Sequence, residues 1–294
     1  METNTASISF SDRIRPYFEV LKFRLSTMVV FSSGMTYLLA SGPNVEYSKL
    51  WLLVLGGFMV TGSANIINQV FERDIDSLMK RTRNRPLPTG RMSVAEAVSY
   101  SSFLGIAGFA VLALNVNLMA ALLTMLSLVL YGFVYTPMKQ RSPLAVAVGA
   151  VPGALPTLIG WVAYTGQITI PGLILFGIQF VWQFPHFWAI AWVLDDDYKK
   201  AGFRLLPSSG GRDIKTAFRI MSYTLFLIPL GLMPFQLGIT GSMSAMVVTL
   251  CGTLFLFQTF SLMASCSNKA AKSIMFGSFL YLPIVQIAFV LDRV

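Results

Sequence analysis

Nine apolar runs dominate this chain, at approximately 25–42, 48–70, 94–114, 117–138, 143–164, 170–194, 216–236, 242–264 and 271–291. A helix needs roughly 17–25 apolar residues to cross the hydrocarbon core of a bilayer, and each run has that length. Only 12% of the residues are charged, and the mean hydropathy of +0.66 reflects apolar character along the whole chain rather than in one core. Gly and Pro recur inside the runs, as in Gly149, Pro152, Gly153 and Pro156. Such residues are tolerated in a membrane helix when neighbouring helices satisfy the freed backbone groups. The expected fold is all-α: one multi-pass membrane domain over 1–294, with nine transmembrane helices. Its helices are expected to form two four-helix halves plus a ninth helix around a central cavity.

A net charge of +9 raises the question of nucleic acid. The distribution argues for topology instead. With the N-terminus inside and nine spans, all of the 22 Lys and Arg except Lys49 and Arg293 fall on the cytoplasmic side, as the positive-inside rule requires. The C-terminus then lies outside, and no nucleic-acid partner is expected. Asp12, Arg13, Arg15, Glu19, Lys22 and Arg24 break up residues 1–24. They read as an amphipathic lead-in on the membrane surface rather than as a signal peptide. Cys251 and Cys266 are about four helical turns apart, too far for a disulfide, and no metal-binding cysteine spacing occurs.

The outer connections are short and bland. Two inner loops, 71–93 and 195–215, hold most of the acidic and basic residues, about 120 residues apart and each after an even-numbered span. Within the first, Asn68, Glu72 and Asp76 recur every four residues. On a continuous helix they form one stripe, each about 6 Å further along the axis. Three oxygen donors on one face suit a hard cation such as Mg²⁺, which leaves positions open for phosphate oxygens. Lys80, Arg81, Arg83, Arg85 and Arg91 follow at once, the complement a metal–diphosphate complex needs. The plainer alternative is a solvated loop obeying the positive-inside rule. A polar stripe running into a span favours function.

The second loop opens with Asp195, Asp196 and Asp197, read as three carboxylates at the end of the sixth span, where they oppose the helix dipole. A bound cation relieves that repulsion; so do Lys199, Lys200, Arg204 and Arg212. His186, the one histidine of the chain, precedes them among Trp182, Phe184, Phe187 and Trp188. It reads either as a packed, hydrogen-bonded residue or as a haem ligand or proton carrier.

Taken together, these segments resemble the haem-farnesylating branch of the UbiA-type intramembrane prenyltransferase superfamily. Asn68-x₃-Glu72-x₃-Asp76 is similar to the superfamily's first NxxxDxxxD motif. Arg73-Asp74-Ile75-Asp76 through Met79, Arg81, Thr82 and Arg85-Pro86-Leu87 resembles the branch's RDIDxxMxRTxxRPL. Tyr135-Thr136 with Lys139 resembles YTxxLKR, and Gly153-Ala154-x-Pro156 with Gly160-Trp161 resembles GAxPxxxGW. Trp182-Gln183-x-Pro185-His186-Phe187, then Asp197-Tyr198, Ala201-Gly202 and Leu206-Pro207, resembles WQxPHF…DYxxAGxxMLP. Three departures stand out: Glu72 replaces an aspartate, Gln140 replaces an arginine beside Arg141, and Lys22-Phe23-Arg24 stands for K-P-R.

The resemblance implies a Mg²⁺-dependent enzyme of a bacterial inner membrane. Its substrates would be farnesyl diphosphate and haem b, and its product, haem O, would pass to a haem A synthase or to terminal oxidase assembly. Asn68, Glu72, Asp76 and Asp197 would hold the metal, with Asp197 favoured over its two neighbours by the DY match. Lys80, Arg81, Arg85, Lys139, Arg141 and Lys200 would bind diphosphate, with Lys80 and Arg81 counted among the catalytic set. His186, Trp182 and Phe187 would face the haem. A relative acting on an aromatic acid or quinone precursor shares the first motif but gives no reason for Trp182–Phe187. An ion-coupled transporter places its ionisable groups near the midplane, unlike these. A haem-binding assembly factor has no need of the carboxylate set.

Overall fold

The computed structural model describes residues 10–294, so residues 1–9 of the expected lead-in lie outside the described residues. α1 (Phe10–Val20) is followed by α2 (Phe23–Ser41) and α3 (Tyr47–Phe71). A single turn, α4 (Arg73–Asp76), leads through an irregular loop to α5 (Val94–Asn115). The next long helix comprises α6 (Leu118–Val129), a π-helical turn (Leu130–Tyr135) and α7 (Thr136–Met138). Then come α8 (Ala145–Thr165), α9 (Ile170–Val193), the short α10 (Asp195–Lys200), α11 (Ile214–Gln236), α12 (Ser242–Ser265) and α13 (Asn268–Leu291).

Among the described residues, eight helices are long and apolar enough to cross a membrane, beginning with α3. The expected first span, 25–42, corresponds to α2, which is not among the eight. Its 19 residues include Ser26, Thr27, Ser32, Ser33, Thr36 and Ser41, which dilute its hydropathy. Local chemistry sets many of the helix ends. Ser93 and Glu96 form a reciprocal capping box at the start of α5. Asn117, Asp213 and Ser267 cap α6, α11 and α13, each taking up an N–H that the helix itself leaves free.

Large apolar side chains, among them Trp51, Phe103, Leu114, Phe226, Met246 and Phe257, point outward, while Asn65, Gln69, Gln179, Gln183 and Gln286 are buried. Lipid demands this arrangement, because a polar group inside the bilayer must find its partner within the protein. Ser63 Oγ donates to the Ser101 carbonyl at 2.8 Å, joining α3 to α5. Gln179 and Gln183 both donate to the Gly153 carbonyl, at 2.7 and 3.0 Å. Pro156 has no N–H for the Pro152 carbonyl four residues back; Ser127 Oγ donates to that oxygen at 3.2 Å instead.

Two sequence expectations change at the ends of long helices. The stripe Asn68–Glu72–Asp76 does not lie on one unbroken helix: α3 stops at Phe71, and Glu72 leaves helical geometry at φ −95°, ψ 6°. The Asp76 N–H still reaches the Glu72 carbonyl at 2.7 Å, so the helical spacing largely survives the break. Likewise, Asp195, Asp196 and Asp197 do not end the sixth predicted span. They form the first turn of α10, where a helix dipole favours negative charge instead of opposing it.

Close helix contact depends on small residues. A Cβ at Gly160 of α8 would overlap the Ser33 carbonyl of α2. Gly160→Val should therefore separate α2 from α8 and lower stability by about 1–3 kcal/mol. Thermal unfolding in detergent reads this directly, and an unchanged midpoint would contradict the packing.

Candidate active site at one end of the bundle

The C-terminal end of α3, the elbow between α1 and α2, the end of α7, and the loop after α4 converge on one face. Asn68 is buried, and its amide is held at both ends. Nδ2 donates to Thr136 Oγ1 at 3.1 Å, while Oδ1 accepts from Lys22 Nζ at 3.1 Å. Thr136 Oγ1 in turn donates to the Tyr131 carbonyl at 2.8 Å. The π turn is what brings Thr136 under Asn68, and π turns recur at functional sites.

Glu72, at the break after α3, pairs with Lys139 Nζ at 2.8 Å. The same ammonium lies 4.6 Å above the centre of the Tyr135 ring. Burial opposes the Lys139 charge, but the Tyr135 ring and the Glu72 carboxylate outweigh it, so its pKa is raised. Asp76 is fully buried; its Oδ2 accepts from Arg85 Nη1 at 2.6 Å. Its other oxygen, Oδ1, is buried with no hydrogen-bond partner. The loop that delivers Arg85 is pinned by Thr82 Oγ1 donating to the Asp76 carbonyl at 2.8 Å and by Met79, which is buried. Arg91 ties it further to Glu19 of α1, at 2.9 Å.

The three aspartates of α10 separate into different environments. Asp195 pairs with Lys199 at 2.7 Å, and Asp196 with Arg212 at 3.0 Å. Asp197 alone crosses to the first loop, accepting from the Lys80 backbone N–H at 3.2 Å, with Lys200 Nζ at 3.6 Å. Burial pushes its carboxyl pKa up, but bonds from the Lys80 and Arg81 backbone and the Lys200 charge outweigh it, and the pKa lies below the usual range.

Asn68, Glu72, Asp76, Arg85 and Lys139 thus stand together, with Asp197, Lys80 and Lys200 at the neighbouring edge. The side chains of Lys80 and Arg81 are exposed, and Arg81 meets Asp197 through its backbone. Arg141 is exposed and has no side-chain hydrogen bond or ion pair among the described residues. His186, Trp182 and Phe187 lie deeper on α9. His186 is nine residues before Asp195, about 14 Å along a helix axis. Its ring stacks on Trp182, with centroids 4.3 Å apart and planes 17° from parallel.

Lys22 is the site residue that sequence reasoning left among surface charges. It adopts a left-handed backbone at φ 49°, ψ 55°, which is strained for a side chain this large. That turn carries its ammonium onto Asn68. Burial pulls its pKa down to about 7, aided by Arg85 and Lys139 and opposed by Glu72 and Asp76. The Lys22-Phe23-Arg24 pattern was the available signal.

Eight long apolar helices, an apolar exterior, hydrogen-bonded amides inside and a charged site at one end define a multi-pass α-helical membrane protein. A model of the UbiA prenyltransferase family matches residues 27–282; the chain belongs to that family. It is 54% identical over 284 residues to the protoheme IX farnesyltransferase of Cytophaga hutchinsonii, covering 97% of this chain and 99% of that one. A solved structure of digeranylgeranylglyceryl phosphate synthase superposes with a TM-score of 0.80 at 22% identity, covering 95% of this chain and 98% of that one. A UbiA homologue from Archaeoglobus fulgidus, bound to DMAPP and Mg²⁺, superposes with a TM-score of 0.67 at 18% identity, covering 93% and 98%.

The Glu72–Lys139 pair is nearly enclosed, with side-chain exposures of 7% and 12%. Removing one partner strands the other charge, at a cost of about 3–5 kcal/mol. Glu72→Gln and Lys139→Met should each lower the unfolding temperature. The double variant should recover much of the loss; equal stability of all four proteins would contradict the pairing.

Proposed function

We propose that the chain transfers the farnesyl group of farnesyl diphosphate to a vinyl group of haem b, giving haem O and diphosphate. The observation that carries this reading is the 54% identity, over nearly the full length of both chains, to a protein named protoheme IX farnesyltransferase.

The charged face suits a metal–diphosphate complex. Asn68 Oδ1 and the carboxylates of Glu72, Asp76 and Asp197 are hard oxygen donors of the kind Mg²⁺ takes. The unpartnered, buried Asp76 Oδ1 fits a bound cation. Among the described residues, no three His, Cys, Asp or Glu stand close enough to form a metal cage by themselves. The substrate's phosphate oxygens are then the natural source of the remaining ligands. When bound, Mg²⁺ would neutralise charge on the departing diphosphate.

The chain's own groups do the rest. Lys22, Arg85 and Lys139, each paired with a donor residue at 3.1 Å or less, turn from those donors to phosphate oxygens. Lys80, Arg81, Arg141 and Lys200 close over the diphosphate from the loops. This cationic set stabilises the negative charge that grows as the allylic C–O bond breaks. The helices around the farnesyl chain exclude water while the vinyl carbon bonds to C1. Water then adds to the neighbouring carbon and loses a proton, leaving a hydroxyl. Trp182, His186 and Phe187 face the haem.

In the membrane, α2 serves as the ninth span beside the eight longer helices. α2, α3, α5 and α6–α7 form one four-helix half, α8, α9, α11 and α12 the other, and α13 completes a single domain around a central cavity. The positive-inside bias puts the charged loops in the cytoplasm of a bacterial inner membrane, with the C-terminus outside. Haem O then passes to a haem A synthase or to terminal oxidase assembly.

Purified protein supplied with haem b, farnesyl diphosphate and Mg²⁺ should yield haem O by mass spectrometry. EDTA should abolish the product, and Asp76→Ala should reduce it at least about 100-fold, a loss near 2.7 kcal/mol of transition-state stabilisation. Folded protein that makes no haem O would refute the reading.

A further inference from the structure

His186 Nδ1 lies 2.8 Å from Ser278 Oγ on α13, and Ser278 Oγ lies 2.6 Å from the Met275 carbonyl. A serine hydroxyl has one proton and two lone pairs. Two oxygens 2.6 Å apart repel unless a proton lies between them, so the serine proton goes to Met275. The bond to the imidazole must then be donated by His186 Nδ1–H. A neutral imidazole has one N–H, which leaves the lone pair on Nε2.

That second nitrogen is placed to be used. Nε2 has no hydrogen-bond partner among the described residues, so its lone pair is uncommitted. The ring is fixed on several sides. Trp182 stacks on it at 4.3 Å, Phe279 meets it edge-on at 5.1 Å, and Phe187 at 5.4 Å. Trp182 Nε1 also donates to the Ser278 carbonyl at 3.1 Å, so α9 grips both the side chain and the backbone of Ser278. A histidine whose inner nitrogen donates to a fixed oxygen, with its outer lone pair free, is built as a metal ligand. Flat aromatic surroundings suit a flat macrocycle around that metal.

We infer that Ser278 fixes His186 as the Nδ1–H tautomer, so that His186 Nε2 ligates the iron of haem during the reaction. Ser278 is a positioning residue; His186 is the ligand. The inference rests on the haem-acceptor reading given above.

Because His186 is the only histidine in the chain, an untagged preparation gives an unambiguous spectrum. Ferric haem b and metal-free protoporphyrin IX would be titrated into purified protein, with absorption and electron paramagnetic resonance recorded. Wild type should show imidazole-ligated iron. His186→Ala should lose that signature, regain it with added imidazole, and bind haem no better than the metal-free porphyrin. Ser278→Ala should weaken haem binding about 10- to 100-fold while leaving metal-free porphyrin binding unchanged, and Ser278→Thr should restore it. Wild-type haem O synthesis without an imidazole signature would overturn the inference alone. An unchanged haem affinity in Ser278→Ala would overturn the positioning role. An imidazole signature without haem O would support the ligand and refute only the acceptor reading.

Discussion

Two carboxylates, Glu72 and Asp76, are buried where an apolar bundle meets its charged face, and much of the local structure exists to keep them there. An isolated ion in such surroundings costs several kcal/mol, so each needs an opposite charge at contact distance. Lys139 and Arg85 supply it, at 2.8 and 2.6 Å. To deliver Lys139, the long helix that runs from α6 to α7 widens into a π turn; to deliver Arg85, the loop after α4 folds back over Asp76. The same turn presents Thr136 to Asn68, and the strained elbow at Lys22 completes the cluster. The donor groups are thus each matched with a cation before any substrate arrives. A metal–diphosphate complex can replace those pairings one for one, cation to phosphate and oxygen to metal, without stranding a buried charge.

The bundle below meets a different constraint. Lipid cannot hydrogen-bond, so the buried amide side chains of α3, α9 and α13 close on other side chains or on backbone carbonyls. Gln286 Nε2, for example, donates to Gln179 Oε1 at 3.1 Å. Proline in α8 loosens the backbone ladder, and Ser127 repairs it. Glycine at 160 lets α2 approach that helix directly. These contacts fix α9, and with it both the aromatic face around His186 and the short α10 that carries Asp197.

Sequence alone reveals the long helices because the bilayer imposes their length: the expected run 48–70 is α3 at Tyr47–Phe71, and 271–291 is α13 at Asn268–Leu291. Asn68, Glu72, Asp76 and Arg85 were legible together, since carboxylates and guanidinium groups at a span end are costly without a use; Lys139 entered only through the family resemblance. The break at Glu72, the π turn and the fresh start of α10 were not, because side-chain pairings between distant segments decide them. Pro137 was the one local hint of the π turn, as it cannot donate to the Phe133 carbonyl four residues back. Lys22 escaped notice because a lysine beside a span ordinarily obeys topology, and only the fold turns it inward. Spacing alone left the three aspartates equivalent, and only the DY resemblance favoured Asp197; in the fold Lys199 and Arg212 pair with the other two.

If the oxygen donors and their cations form one site for a metal-bound diphosphate, the affinity of the chain for a prenyl diphosphate depends on the metal. Calorimetric titration with an unreactive farnesyl diphosphate analogue, with and without Mg²⁺, tests it most directly. Such a site should bind the analogue with Mg²⁺ and lose at least about tenfold in affinity without it, or about 1.4 kcal/mol. Equal affinity in the two conditions would contradict it.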